Sequence, residues 1–377
     1  MRIGIEAQRI FRKKKHGMDF VAIAMIQCLQ QIDKENEYFI FINEQEDQGV
    51  IKETKNFKLV PLRQSSYPIW EQIHLPKAIK HYKCDLLHCT SNTAPVNISV
   101  PLFVTLHDII YLEKMDLTQG SWYQRLGNIY RKWNVPIIVN KAKKIFTVSK
   151  YEQQRIMNHF GLNEGNVVVT YNGVGNHFKP VSDEEANAIT SKYELPDKYI
   201  LFLGNTDPKK NLINVIKAIW NLKQKGRLSA KLVMPDFGIE NLKRILSDIE
   251  AQDLLPEIHL TGYIPNIDLP AIYQKAEQFL YPSLRESFGI PILEAMSCGT
   301  PVITSKAASM PEVAGDAALL VDPKNYGEIS DAIYTLSTDS DLVRQLKSKG
   351  FERAPQFSYL QSAKDILQTY KRELNRL

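Results

Sequence analysis

Two doubly wound α/β domains in tandem, facing a common cleft, are the fold class predicted by this sequence of 377 residues. Three observations predict it. Short continuous apolar runs alternate with stretches of helical periodicity, the alternation starts afresh near residue 199, and a polar segment bearing glycine and proline separates the two series. Strands that are apolar throughout, rather than at every second residue, belong to parallel sheets covered by helices on both faces. The length suits two domains better than one. Sheets of this kind bind ligands beyond the carboxyl ends of their strands, so function is sought at those ends.

In the first half the apolar runs are residues 2–7, 38–42, 85–89, 102–107, 144–148 and 167–171, with helical periodicity over 20–31 and 151–160 between them. Gly173, Gly175, Pro180 and Pro196, set in polar filler, mark an interdomain linker. The predicted first domain is therefore 1–174, the linker 175–197 and the second domain 198–355. Strands of the second domain are expected at 199–203, 231–234, 258–260, 278–281, 301–304 and 318–321. After the break at Pro355, residues 356–377 form a C-terminal segment whose amphipathic helix, over 359–377, packs back towards the first domain.

A hydrophobic content of 44% with 24% charged residues describes a soluble globular protein with sizeable cores. Cys28, Cys84, Cys89 and Cys298 make no CxxC pair and sit in apolar runs, as buried thiols of a reducing compartment do. No signal peptide and no spanning segment is visible, so a cytoplasmic protein is expected, or one peripheral on the cytoplasmic face of a membrane. Net charge is +5, unevenly shared: residues 1–180 carry 24 Lys/Arg against 16 Asp/Glu, the remainder 23 against 26. Basic and aromatic residues cluster at Arg12 to Lys15 and again from Trp122 to Lys144, with Tyr123, Arg125, Tyr130, Arg131, Lys132, Trp133, Lys141 and Lys143. The second cluster fits either an anionic bilayer interface or a solvated helix whose aromatics face the core. Nucleic acid is not an expected partner, because the pI near 8.7 is too low and no binding module is present.

The chemistry concentrates between Ser283 and Pro301. This stretch follows the run ending at Tyr281, and Gly289 and Pro291 suit a loop entering a helix. First-turn amides and the helix dipole then form an anion site suited to a diphosphate. Glu294, expected in the first turn, and Glu286, in the loop before it, flank that site and can accept hydrogen bonds from sugar hydroxyls. A second anchor is Gly204-Asn-Thr-Asp-Pro-Lys209-Lys210-Asn211, directly after the strand at 199–203. Glycine permits a close turn there, and the two lysines can neutralise a leaving diphosphate. A solvated lysine turn is the plainer reading of the same residues.

Glu286 and Glu294 stand in the E-x7-E spacing of retaining glycosyltransferases with the GT-B fold, built from two Rossmann-like domains. The surrounding ESFGIPILEAMSCGTPVI resembles the signature of the family-4 group, as do HLTGYI at 259–264 and PEVAGDAALLVDP at 311–323. The family's commoner glycine is replaced by Ser287, and its arginine by Lys209, which keeps the charge but not the bidentate fork. The resemblance implies that Glu294 holds the ribose hydroxyls and Glu286 faces the donor sugar near its 3-OH. Phe288, Gly289 and Ile290 then line the loop at the phosphates, with Gly204, Lys209, Lys210 and Asn211 opposite. Backbone groups near Tyr263 and Ile264 would meet the base. His107, in Thr105-Leu-His-Asp108, matches the family's strand-end histidine, whose task is to bond the donor sugar or position the acceptor, with Asp108 orienting it. Gly17 matches the Gly-rich loop of the first domain, but Asp19 stands where a small residue is usual. A carboxylate there would repel phosphate, so that loop is assigned to the acceptor.

The implied reaction moves a hexosyl group from a nucleoside diphosphate sugar to a glycan or lipid-linked glycan acceptor in bacterial surface polysaccharide assembly, with anomeric retention. A weak tilt to mannose comes from the G-x-x-x-P-K-K-N form. Closure about 173–197 would exclude water. No cofactor and no metal are expected: Asp339-Ser-Asp341 reads as a helix cap, and no His/Cys cluster has ligand spacing. Ser149 likewise reads as a cap. A sugar-nucleotide epimerase of the same fold and a catalytically silent glycan-binding subunit remain as alternatives. The first would need acid/base carboxylates in both domains.

Overall fold

The computed structural model describes the chain except for residues 13–16, 44–48, 64, 114–121, 205 and 375–377, and the side chains of 113 and 122–125. It divides into two compact units, Met1–Asn172 with Ser358–Leu377, and Gly173–Phe357.

The first unit holds a seven-stranded sheet: β1 Arg2–Glu6, β2 Glu37–Asn43, β3 Phe57–Leu62, β4 Leu86–Cys89, β5 Leu102–Thr105, β6 Lys144–Thr147 and β7 Val167–Val169. All pairs are parallel, in the order β3-β2-β1-β4-β5-β6-β7. β4 and β5 are buried at every residue, which is why their sequences lack the in-out alternation of a half-exposed strand; the polar His88 and Thr105 bond each other. The core gathers Ile3, Ile5, Tyr38, Phe103 and Phe146, and Tyr370 reaches it from the helix Tyr359–Leu374. The Tyr370 hydroxyl bonds His88 Nδ1, and Lys144 pairs with Glu373 at 3.4 Å. The C-terminal helix is thus part of the first unit.

β3 is absent from the sequence reading because Pro61 interrupts FKLVPL. The strand lies at the sheet edge, where a missing backbone N–H costs no ladder bond. The run at 102–107 overreached: pairing stops at Thr105, and Leu106 and His107 leave the sheet.

The second unit carries β8 Tyr199–Phe202, β9 Lys231–Met234, β10 Ile258–Leu260, β11 Gln278–Tyr281, β12 Val302–Ser305 and β13 Ala318–Val321, parallel in the order β10-β9-β8-β11-β12-β13. Ile200, Phe202, Leu232, Met234, Leu280 and Ile303 fill its core.

The segment expected to be a linker is built differently. It contains the helix Asp183–Lys192, capped by Ser182 and opened by Asp183, Glu184 and Glu185. That helix is fixed to the second unit: Lys275 Nζ lies 2.9 Å from Asp183, and Asp268 accepts from Lys192 at 2.8 Å and from the Tyr193 hydroxyl at 2.6 Å. Its flanking glycines and prolines obscured a helix whose cap and acidic first turn were both written in the sequence.

Candidate active site

In each sheet the strand order reverses once, between β1 and β4 and between β8 and β11. Such a reversal splays the connecting helices to opposite faces and leaves a crevice beyond the strand ends. In the second unit both predicted anchors stand at that crevice. Gly204 follows β8 so closely that a Cβ there would sit 1.9 Å from the Phe202 ring, so only glycine fits without displacing a core aromatic. The chain then makes the 3-10 turn Pro208–Lys210, capped by Asp207, and Asn211 takes a left-handed conformation at φ 64°. Asn211 Nδ2 donates to the carbonyls of Pro282 at 2.8 Å and Pro323 at 2.6 Å, and Leu284 N donates to Lys209 O at 2.8 Å. These bonds lock the lysine turn to the segment after β11.

Lys210 is consequently not a solvated turn residue. Its ammonium lies 2.8 Å from Glu286 Oε1 and 3.0 Å from the Tyr281 hydroxyl, and sits over the Tyr281 ring. The two side chains of the ion pair are only 18% and 13% exposed. Lys209 is more open and pairs loosely with Asp207 at 3.5 Å. The loop carrying Glu286 is clamped from behind, where Ser309 Oγ reaches the carbonyls of Glu286 and Phe288, each at 2.9 Å. Gly289, at φ 105°, turns the chain into the helix Ile290–Ser297 with Pro291 in its opening turn.

Glu294 lies in the second turn of that helix, not the first, because the helix begins directly after Gly289. Its carboxylate accepts from the Tyr273 hydroxyl at 3.0 Å. Burial pushes its pKa up to about 7, with the Tyr273 bond opposing the rise. Tyr273, Tyr281 and Ser309 were not singled out in the sequence. Two tyrosines in apolar runs read as core, and only their hydroxyl partners reveal another task. Ile264 is buried, whereas Tyr263 is 72% exposed.

The first unit places His107 beyond β5, buried, with its N–H on Asn92 Oδ1 at 2.7 Å and its Nε2 against Thr90 O at 3.0 Å. Burial lowers its pKa, so the ring is neutral at physiological pH and donates from Nε2 to that carbonyl. Asp108 accepts from Ile110 N at 3.2 Å, a local turn contact. Gly17 opens the helix Gly17–Ile32, while Lys15 and His16 lie outside the described residues. The buried Asp19 is met by Arg12 at 2.6 Å, so the repulsion expected from its carboxylate is countered by a cation seven residues earlier in the chain. At the β1/β4 reversal stand two further buried acids. Glu6 accepts from Gln8 N and Thr90 N, and Glu71 from Thr93 and Tyr130 hydroxyls. Burial, with the charge of Glu71 adding to it, pushes Glu6 up to about 7.

The family model described as "Glycosyl transferases group 1" matches residues 183–353, and that described as "Glycosyltransferase Family 4" matches 21–175. The chain is a group 1 glycosyltransferase of the GT-B fold. Among relatives of this glycosyltransferase, O-antigen chain mannosyltransferase B of Escherichia coli is 29% identical over 312 residues, spanning 82% of this chain and 80% of the relative. O-antigen chain mannosyltransferase RfbU of Salmonella typhimurium is 27% identical over 310 residues, spanning 78% and 80%. Two solved structures share the fold. Anabaena HepE in complex with UDP has a TM-score of 0.73 at 18% identity over 98% of this chain and 100% of its own. Sucrose-phosphate synthase from Thermosynechococcus elongatus has a TM-score of 0.76 at 17% identity over 100% of both chains.

The basic aromatic cluster of this glycosyltransferase has features of both readings: the Tyr130 hydroxyl turns inward to Glu71, while Trp133 is exposed. Among the described residues of the helix Trp122–Lys141, Val135, Ile138 and Val139 are buried, while Leu126, Ile129 and Trp133 are each more than half exposed. Spacings of three and four put those three on one face. Ser149 and Asp339 cap helices, as expected, and among the described residues no group of three His, Cys, Asp or Glu is placed to hold a metal.

Proposed function

We propose that this glycosyltransferase moves a hexosyl group, mannose by the names of its relatives, from a nucleoside diphosphate sugar to a hydroxyl of a glycan or lipid-linked glycan in surface polysaccharide assembly, with retention at the anomeric carbon and without a metal. The observation that carries the donor assignment is the Lys210–Glu286 pair at the β8/β11 crevice, with Glu286 in the loop that enters the helix Ile290–Ser297. A departing diphosphate gathers negative charge as the glycosidic bond breaks. Lys209, Lys210 and the amides after Gly289 are fixed in advance where that charge develops, which is worth most in a site shielded from water. Glu286 accepts from a hydroxyl of the sugar, and Glu294 from the ribose hydroxyls. With no side-chain nucleophile assigned, retention follows from same-face attack while the diphosphate leaves.

The acceptor is assigned to the first unit, with Gly17, His107 and Asp108 among the residues that meet it. Neighbouring structures in complex with UDP and UDP-glucose support a nucleotide-sugar donor, and the O-antigen relatives support a polysaccharide acceptor. Among the described residues no helix is long and apolar enough to cross a membrane. The exposed row Leu126, Ile129 and Trp133, beside Lys132 and with Lys141 and Lys143 further along, supports peripheral binding to an anionic bilayer on its cytoplasmic face.

Incubation with NDP-hexoses, a glycan acceptor and a chelator tests the reading. It predicts release of the nucleoside diphosphate with one product glycoside per turnover, abolished by Glu286→Gln. Turnover that stops when the chelator is added would remove metal independence, and an inverted product would remove retention.

A further inference from the structure

We infer that Asp236 selects the donor base, and that the base is guanine; this rests on the assignment of the nucleotide site to the second unit. The phosphate-facing residues lie at the ends of β8 and β11, and the ribose-facing Glu294 is held by Tyr273, which stands on the helix Leu269–Lys275 between β10 and β11. The nucleoside therefore extends from β8 towards β9 and β10. Those strands lie about 4.8 and about 10 Å from β8, and the chain beyond their carboxyl ends is what the base meets.

Three large apolar side chains are exposed at that edge: Tyr263 at 72%, Ile267 at 69% and Ile239 at 43%. Exposed rings and aliphatics grouped at the end of a sheet give a flat base something to lie against. Three carboxylates lie near these residues along the chain: Glu240 pairs with Lys243, Asp268 with Lys192 and the Tyr193 hydroxyl, and Asp236 with no described side chain. Asp236 directly follows Met234-Pro235 at the end of β9, is exposed, and carries no side-chain hydrogen bond or ion pair to any described residue. Its backbone is left-handed at φ 53°, an uncommon conformation for a residue with a Cβ. A bond of 2.8 Å from its N–H to Gly262 O holds it there and ties the loop after β9 to the loop after β10. The conformation is thus fixed by the two loops that would flank the base.

A carboxylate discriminates between bases by donor pattern. Guanine presents N1–H and the 2-amino group side by side, two parallel donors for two carboxylate oxygens, which is the stronger, charge-assisted form of the bond. Uracil places a carbonyl on each side of its single N–H. Adenine sets a bare ring nitrogen beside its amino group. Both would bring a lone pair against Asp236, and an unpaired or repelled polar group is what rejects the wrong ligand.

The test uses the full-length protein and its thermal stabilisation by GDP, IDP, XDP, UDP and ADP, for the wild type and Asp236→Asn. Asparagine tolerates the left-handed backbone, so the variant folds. The wild type is expected to bind GDP at least tenfold more tightly than UDP or ADP, with IDP weaker than GDP because it lacks the 2-amino donor. Asp236→Asn is expected to lose tenfold or more of GDP affinity and to gain XDP, whose 2-oxo group accepts from the new amide. That gain is a readout that mere damage to the loop would not produce. UDP or ADP binding best in the wild type, or GDP preference unchanged in Asp236→Asn, would overturn the inference while leaving the nucleotide site intact. Binding of none of the five would overturn the site assignment with it.

Discussion

The Lys210–Glu286 pair makes an asymmetric prediction, because its two halves are given opposite tasks. In the ligand-free protein the ammonium and carboxylate neutralise one another at 2.8 Å with most of both side chains out of solvent. Lys210→Ala removes one charge-assisted contact to the diphosphate, a contact worth about 1.5–3 kcal/mol. At about 1.4 kcal/mol per decade, that weakens nucleoside diphosphate binding roughly 10- to 150-fold. The carboxylate of Glu286 is also left facing the phosphates, so the loss falls towards the upper end. Glu286→Gln does the reverse. It frees the ammonium for the diphosphate, so nucleotide affinity stays within about threefold or tightens, since a surviving Lys210 still supplies the charge-assisted bond. Turnover with the sugar donor falls on the order of 100- to 1,000-fold, the usual cost of one preorganised polar group in a transition state. Calorimetric titration with the nucleotide, beside steady-state transfer assays, separates the two effects. Equal losses of nucleotide affinity in both variants, or undiminished affinity in Lys210→Ala, would refute the division of labour.

Three further outcomes follow from the same geometry. In the proposed donor site the ribose hydroxyls donate to both oxygens of Glu294, which favours its ionised form, so nucleotide affinity should rise as pH increases through about 7, and Glu294→Gln should flatten that profile. In the free protein the sign is opposite. The folded pKa lies above the ordinary glutamate value of 4.5, the folded state holds the extra proton between those values, and stability falls as pH rises across that window. Urea midpoints between pH 4.5 and 7.5 should show a shallower fall in Glu294→Gln, with the buried Glu6, raised in the same way, keeping its own share. Gly204→Ala drives a methyl into the Phe202 ring and should cost about 1–3 kcal/mol of stability, read from denaturant midpoints, together with weaker nucleotide binding. Replacing Leu126, Ile129 and Trp133 together by polar residues should abolish sedimentation with anionic vesicles and leave the melting temperature unchanged, because none of the three is in the core.

Much of this was legible in the sequence, and the misses have identifiable causes. A strand such as β8 could be read because burial on both faces writes itself as the unbroken apolar run YILF. β3 could not, since an edge position excuses the Pro61 that argues against a strand. The helix Asp183–Lys192 was hidden by glycine and proline on either side, although Ser182 and three acidic residues marked its start. In the site, the charged residues announced themselves through spacing, whereas Tyr273 and Tyr281 did not. A tyrosine buried by its ring and used by its hydroxyl has the same sequence signature as one that only packs. The ion pair of Arg12 with Asp19 illustrates the converse: a lone acid in the sequence reads as a repulsive charge until its partner is placed.

On the proposed function, the second unit binds a nucleoside diphosphate sugar and the chain transfers its hexosyl group with retention. Proton NMR of a reaction containing GDP-mannose, a glycan acceptor and a chelator follows donor loss and product anomer in one tube. The α-configured donor is expected to yield an α-mannoside in step with GDP release, and Glu286→Gln to yield neither. A β-configured product, or donor consumed to free mannose at the same rate with and without acceptor, would contradict it.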